Sequence, residues 1–350
     1  MSQETSGEAA RPAASVVIVN YNGLHYLDAC LGAVLAQELE GGFEVVIVDN
    51  GSVDGSVAHL REAWPAVRVV EAGENLGFAA GNNLGMRESR GRHLVLLNND
   101  TRVRAGWLRA LVAAAEGEDG VGAVTSKLIF LDRPQIIQNA GGVVLSDGSG
   151  GDRGTGEKDS GQFGRREEVF NMCGAAVLLT RAMLDEVGDF DEEFFMYYED
   201  TDLSWRMRMR GWRVLYEPEA VVEHVHSGSS VEWSPFFTFH VDRNRLFMLI
   251  KDAPARLVLR AFVRFGRMSA GFAVRMVLRR LRRRNSGATG AAPVRGAGAN
   301  RALIQFRVLA SLLRHLPSLL RKRRSTRSHR SVADDAIVAW FIPREQWHVR

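Results

Sequence analysis

The chain has 350 residues, 46% of them hydrophobic, and a net charge of +4 at pH 7, which fits one large globular domain or two ordinary ones. That charge is unevenly placed: residues 1–250 hold 22 basic against 37 acidic residues, and residues 251–330 hold 21 basic residues against the lone acid Asp252. With only Cys30 and Cys173, and no uncharged stretch of 18 residues, a disulfide framework, a Cys-based metal centre and a conventional membrane span are all disfavoured.

In chain order, the polar residues 1–13 lack an apolar core and read as a disordered lead-in, not a signal peptide. Three apolar runs follow: SVVIVNYN (15–22), VVIVDNGSVDGS (45–56) and HLVLLNND (93–100). Each is rich in Val, Ile and Leu and polar only at its end, the pattern of strands buried on both faces of a parallel sheet. Helical patterns at 27–37, 57–64 and 107–117 follow them, so a βαβ series is expected. Further strands are expected at 121–130 and in WRVLYEP, and a strand and helix over 175–188. Residues 147–166 are Gly-rich, polar and aperiodic, and read as a long flexible loop.

After residue 250 the character changes. Arg256, Arg260, Arg264, Arg267, Arg275, Arg279 and Arg282 recur every three or four positions among apolar residues, as in a basic amphipathic helix. A Gly/Ala/Ser linker (285–300) leads to a second such helix at 301–324, where Pro317 is expected to introduce a kink. Residues 331–350 form a nearly neutral tail. An acidic body with a basic appendage points to an anionic partner surface.

In open α/β sheets a ligand sits beyond the carboxyl ends of the strands. Asn20, Tyr21, Asp49, Asn50, Asn98, Asn99 and Asp100 therefore converge if the three strands are parallel neighbours. Asp49 can accept the ring N–H of a pyrimidine, with Asn20 and Tyr21 flanking it, although Asp-Asn-Gly-Ser is also ordinary turn chemistry. No GxGxxG follows the first strand, which disfavours NAD. In ENLGFAAGNNLGM (74–86), Asn75, Gly77 and Asn83 can supply close backbone approach and amide donors, while capping explains part of the same pattern. Asp100, beside Asn98, suits a hard divalent cation that takes its remaining ligands from phosphate oxygens; a helix N-cap is the plainer alternative. Glu199, Asp200 and Asp202 cluster at the front of a short helix, where capping needs only one acid. Three carboxylates beside aromatics are costly unless a cation or substrate hydroxyl offsets them, so a general base is expected, Asp200 foremost. His224 or His226, after the last strand, could ligate a metal.

Taken together, SVVIVNYNG, VDNGSVDGS, the Asn-Gly block at 75–85, LLNNDT, GDFDEEFFMYYEDTDLSWR, GWRVLYEPEAVVEH and DRNRL (242–246) resemble, in order, the GT-A-fold inverting nucleotide-sugar glycosyltransferases of family 2. The rhamnosyltransferase-like bacterial branch is the nearer match, over about residues 14–250. The resemblance implies a Rossmann-like mixed α/β sheet flanked by helices over 14–250, followed by a basic helical membrane-associating region over 251–330. It implies donor contacts at Asn20, Tyr21, Asp49, Asn75, Gly77, Asn83, Asn98, Asn99 and Asp100. Asp200 would be the base, Glu199 and Asp202 would meet the acceptor, and Asp100 with His224 would hold Mg2+ or Mn2+. The first position of the family's Asp-x-Asp motif is Asn98 here.

The implied reaction moves a sugar, rhamnose being one candidate, from a UDP- or dTDP-sugar to a glycan or lipid-linked glycan hydroxyl in bacterial surface polysaccharide synthesis. A peripheral position on the cytoplasmic face of the cell membrane follows, because each Lys or Arg near an anionic surface contributes about 1 kcal/mol. Two competing readings are a non-catalytic nucleotide-sugar binder and a nucleic-acid-binding protein using the Arg-rich tail. Nucleic acid gives the apolar face of that tail no partner, so no nucleic-acid partner is expected.

Overall fold

The computed structural model describes residues 11–225, 234–285 and 297–347. Its first half alternates strands and helices: β1 (Ala14–Asn20), α1 (Leu24–Leu35), β2 (Phe43–Asp49), α2 (Ser56–Ala63), β3 (Arg68–Glu71), α3 (Gly77–Glu88) and β4 (His93–Asn98). Then come β5 (Thr101–Val103), α4 (Trp107–Glu116), β6 (Val121–Phe130), β7 (Ile137–Asn139), β8 (Gly142–Val144), β9 (Gly150–Asp152) and β10 (Glu167–Glu168). The chain continues through β11 (Ala176–Thr180), α5 (Arg181–Val187), a 3-10 turn at Glu192–Phe194, α6 (Glu199–Met209) and β12 (Arg213–His224). Four helices close it: α7 (Pro235–Asp252), α8 (Ala255–Asn285), α9 (Ala297–Ser328) and α10 (Asp334–Val338).

The main sheet runs β10-β12-β6-β11-β4-β1-β2-β3, with β5 on β12 and β7 on β6. β1 lies between β2 and β4, parallel to both, in a register that sets Asn20 against Asp49 and Val19 against Asn98. β11 enters antiparallel between β4 and β6, so the sheet is mixed, as expected. Because strand side chains alternate, Val16, Ile18, Val45 and Ile47 face α1 and α4, while Val17, Leu94 and Leu96 face α3, α5 and α6. Burial on both faces explains why the strands lack an apolar/polar alternation.

Several elements escaped the sequence reading, among them two in the first half. β3 is a short edge strand, and α3 is built from GFAAGNNLGMRE, a poor helix former by composition. Its glycines serve packing: a Cβ on Gly85 would lie 2.3 Å from Val17 Cγ1, so the helix reaches the sheet only without a side chain there. The 147–166 segment is pinned, contrary to the flexible loop expected. β9 pairs β8, Lys127 holds Asp159, the Ile137 N–H donates to Glu157 O at 2.9 Å, and Tyr216 Oη donates to Phe163 O at 3.0 Å.

The C-terminal helices are not loosely appended. A third core joins Phe194 and Trp205 to Leu246, Phe247 and Leu249 of α7, Leu257 of α8 and Val308, Leu312 and Leu319 of α9. α7 runs through residue 250, and α9 continues helical through Pro317. The last residues fold back, Leu145 bridging Ile342. The expected lead-in falls on residues of which 1–10 lie outside the described set, while Ala13 is buried and bonds Gly42 O at 2.9 Å. Most of the expected linker, 286–296, also lies outside it. Among the described residues no helix is long and apolar enough to cross a membrane.

Candidate active site

The parallel register gathers the strand ends. Asn20, fully buried, donates from Nδ2 to Asp49 Oδ1 and to Ser52 Oγ, both at 3.2 Å, and its Oδ1 accepts from Asn99 Nδ2 at 2.8 Å. Asp49 Oδ2 accepts the Ser52 N–H at 2.9 Å, and Leu24 N–H donates to Asp54 Oδ2 at 2.9 Å. Tyr21 stands half-exposed beside this network. Asn75 is exposed at the entrance to α3, its Oδ1 taking the Gly77 N–H at 2.9 Å.

Along the same edge, Asp100 Oδ1 lies 3.1 Å from His224 Nε2, and Asn98 Nδ2 lies 3.4 Å from that nitrogen. The pairing of β5 with β12, His224 opposite Thr101, brings them together across 124 residues. Gln138 Oε1 sits 2.9 Å from His224 Nδ1. If Nδ1–H donates to it, the Nε2 lone pair is left toward Asp100, an arrangement common to metal-ligating histidines. One carboxylate, one imidazole and a neighbouring amide suit a hard divalent ion that keeps several non-protein oxygens. Among the described residues no cluster of three or more His, Cys, Asp or Glu could hold a metal by itself. His226 lies outside the described residues.

Asp200 joins the same edge through β11. Its Oδ2 accepts the Gly174 N–H at 3.1 Å, and the next residue, Ala175, accepts the Asn98 N–H at 2.9 Å. Two short links therefore connect the acid on α6 to the Asn98–Asp100 turn. Burial pushes the Asp200 carboxyl above its usual range, against hydrogen bonds from Gly174 and Thr201. Glu199 is raised well above its ordinary value by burial and by the adjacent Asp200 charge, and its Oε2 is buried without a hydrogen-bond partner among the described residues.

Three expected contacts are placed elsewhere. Asp202 is 0% exposed and bonded to Lys251 Nζ at 2.5 Å and Arg206 Nε at 2.9 Å. The cations that offset Asp202 are thus the protein's own, while Glu199 and Asp200 have no such partner among the described residues. Asn83 is buried, donating to Phe190 O at 2.9 Å and accepting the Phe190 N–H at 3.1 Å, so it fastens α3 to the 190–195 segment. Gly77 has φ +76, and a Cβ there would lie 2.6 Å from the Phe195 ring and carbonyl, so its bare α-carbon lets α3 pack against Phe195.

The sequence reading missed Arg243 and Asn244. Phe195, Tyr197 and Tyr198, immediately before Glu199, all have φ between 65° and 71°. Such backbone costs of order 1–3 kcal/mol per residue and persists only when its surroundings hold it. Asn244 Nδ2 donates to the carbonyls of Phe194, Met196 and Tyr197 at 2.7–2.9 Å, and Arg243 Nη2 to those of Glu193 and Phe194. The DRNRL motif was the available signal.

The family described as "Glycosyl transferase family 2" matches residues 15–188. An O-antigen biosynthesis protein of Myxococcus xanthus is 31% identical over 62% of this chain. An N-acetylglucosaminyl-diphospho-decaprenol L-rhamnosyltransferase of Mycobacterium tuberculosis is 28% identical over 77% of this chain and 95% of its own length. The chain spans a quarter or less of the first curated relatives it matches, 18% of the Myxococcus protein and 25% of a Sinorhizobium fredii protein. Among solved structures, a crystal structure of GalNAc-T7 with UDP, GalNAc and Mn2+ superposes with a TM-score of 0.56 at 19% identity. It covers 70% of this chain and 48% of that one, a likeness of fold.

Proposed function

Because this chain belongs to glycosyl transferase family 2 through residues 15–188, we propose that it transfers a sugar from a UDP- or dTDP-sugar to a hydroxyl of a glycan or lipid-linked glycan. The observation that carries this reading is the shared edge: the Asn20–Asp49 pair at the ends of β1 and β2, the Asp100–His224 pair at the ends of β4 and β12, and Asp200 at the start of α6 are joined through hydrogen bonds of Asn99, Gly174 and Asn98. Asn20, Tyr21 and Asp49, with Asn75 and Asn99 beside them, would receive the base and ribose of the donor.

Asp100 and His224, with the Asn98 amide alongside, would hold Mg2+ or Mn2+. Such an ion supplies neutralising charge for the departing nucleoside diphosphate. Asp200 would take the proton of the acceptor hydroxyl as that oxygen attacks the anomeric carbon from the face opposite the diphosphate, giving inversion. Its raised pKa suits a base that must hold a proton in the transition state. A neutral Glu199 beside it would keep a second buried charge from competing. The relative active on a diphospho-decaprenol-linked sugar supports a lipid-linked acceptor and rhamnose as the sugar to test first.

In this reading residues 14–250 are the catalytic unit and 251–330 its basic membrane-associating part, working peripherally at the cytoplasmic leaflet. The exposed Arg256, Arg260, Arg264 and Arg267 beside the exposed Leu259 and Val263 support that assignment. A donor panel in Mg2+ or Mn2+, scored by nucleoside diphosphate release, tests the activity. Release from a UDP- or dTDP-sugar is expected, whereas silence with every donor and acceptor extract would refute it.

A further inference from the structure

Three guanidiniums converge on a single carboxylate at the tip of the β8–β9 hairpin. Asp147 Oδ2 is met by Arg264 Nη1 of α8, by Arg344 Nη1 at 3.1 Å and by Arg245 Nη2 of α7 at 3.8 Å. We propose that Arg245, Arg264 and Arg344 around Asp147 form a binding site for a phosphate or diphosphate group. One carboxylate leaves two of the three charges unbalanced. A second acid, Asp242, also feels Arg245 but is shared with Gln305 Nε2 at 2.7 Å and Arg301 at 3.8 Å, so the cluster with its neighbours keeps a net positive charge. Arg264 and Arg344 are 54% and 50% exposed, and the Nε of Arg245 is buried with no hydrogen-bond partner among the described residues. Forked guanidinium donors match phosphate oxygens in pairs, which a lysine cluster does not offer.

Position supports the inference. Arg344 also donates to Ser149 Oγ at 2.8 Å. One residue on, a Cβ at Gly150 would be 3.4 Å from Thr201 Oγ1, and Thr201 follows Asp200. The arginine cluster therefore adjoins the N-terminus of α6. On its other side Arg264 also lines an open groove of about 470 Å³ with Leu259, Arg260, Val263 and Arg267. An anionic headgroup with an apolar chain and a small soluble phosphate share the chemistry this cluster recognises. Assigning the group to the acceptor rests on the transferase reading; phosphate binding itself does not.

The test uses the full chain and measures binding without turnover, so its failure and that of the transferase reading are distinguishable. The probes are inorganic pyrophosphate in EDTA, followed by calorimetry, and phosphatidylcholine vesicles with or without phosphatidate, followed by flotation. Arg264→Gln with Arg344→Gln should weaken at least one of these by ~10-fold or more, since two charge-assisted contacts are lost from half-exposed side chains. Loss with pyrophosphate alone identifies a soluble ligand, and loss with phosphatidate vesicles identifies a lipid headgroup. Asp147→Asn removes the internal competitor and should tighten binding severalfold, an outcome that a purely structural ion cluster does not produce. Unchanged binding of both probes by the double variant, with an unaltered melting temperature, would overturn the proposal.

Discussion

Asp200 and Glu199 are neighbours, Glu199 buried and Asp200 half-buried, and both carry carboxyls pushed upward, Glu199 the more strongly. The base reading makes Asp200→Asn decisive: nucleotide binding should persist in a thermal-shift assay while turnover drops ~100- to 10,000-fold, the usual contribution of general-base help. Glu199 offers a stability test. A carboxyl whose folded pKa is raised favours the folded state fully below its ordinary value of 4.5 and loses that contribution as pH rises toward the folded value. Wild type should therefore lose stability relative to Glu199→Gln as pH rises from below 4.5 into the neutral range. Urea unfolding at both ends measures it, and parallel curves would contradict the assignment. Asp202 was misread from sequence because its partner, Lys251, lies 49 residues away and no local pattern announces the pairing.

At the scale of elements, the α6 entrance is held from α7. Four backbone carbonyls of the 193–197 segment take side-chain donors from Arg243 and Asn244. Asn244→Ala leaves buried acceptors unpaired and releases three left-handed residues, so a stability loss of about 3 kcal/mol is expected. Transfer should fall more than UDP or dTDP binding does, because the nucleotide contacts proposed above lie at the ends of β1, β2 and β4. Lys251 on the same helix bonds Asp191 and Asp202, both at 2.5 Å. The adjacent Asp252 is raised well above its usual value by burial and by Asp202. Lys251→Met should cost about 3–5 kcal/mol by leaving buried carboxylates uncompensated. Denaturant midpoints would check both variants. The strands were legible because their apolar runs are local; α3 was not, because its glycines answer to the sheet beneath it.

On the scale of the whole molecule, the basic segment has two jobs for its charge. Lys322 reaches Asp191 at 2.6 Å and Arg323 reaches the Ile250 carbonyl at 2.7 Å, so part of α9 binds the acidic body. The arginines of α8 at 256, 260 and 267 are exposed instead, while Arg264 is half-exposed and pairs with Asp147. Deleting residues 251–350 would uncover Leu246, Phe247 and Leu249, which are buried in the third core, so aggregation is expected, not clean release from membranes. Arg256, Arg260 and Arg267 changed together to Gln leave that core intact. This triple variant should float less with anionic vesicles, by about 1 kcal/mol per residue at low salt, and unchanged flotation would count against membrane docking by α8.

Periodicity determined most of the sheet's long strands, and strand-end chemistry the acids worth testing, since each is written within a dozen neighbouring residues; the family came from the resemblance of motifs spread over 14–250. Which acid stays partly exposed and which is neutralised by the protein's own lysine was decided only by folding. So was the fate of the tail, because packing α9 onto α7 depends on side chains that meet across dozens of residues, where burial and charge pairing outweigh any local preference.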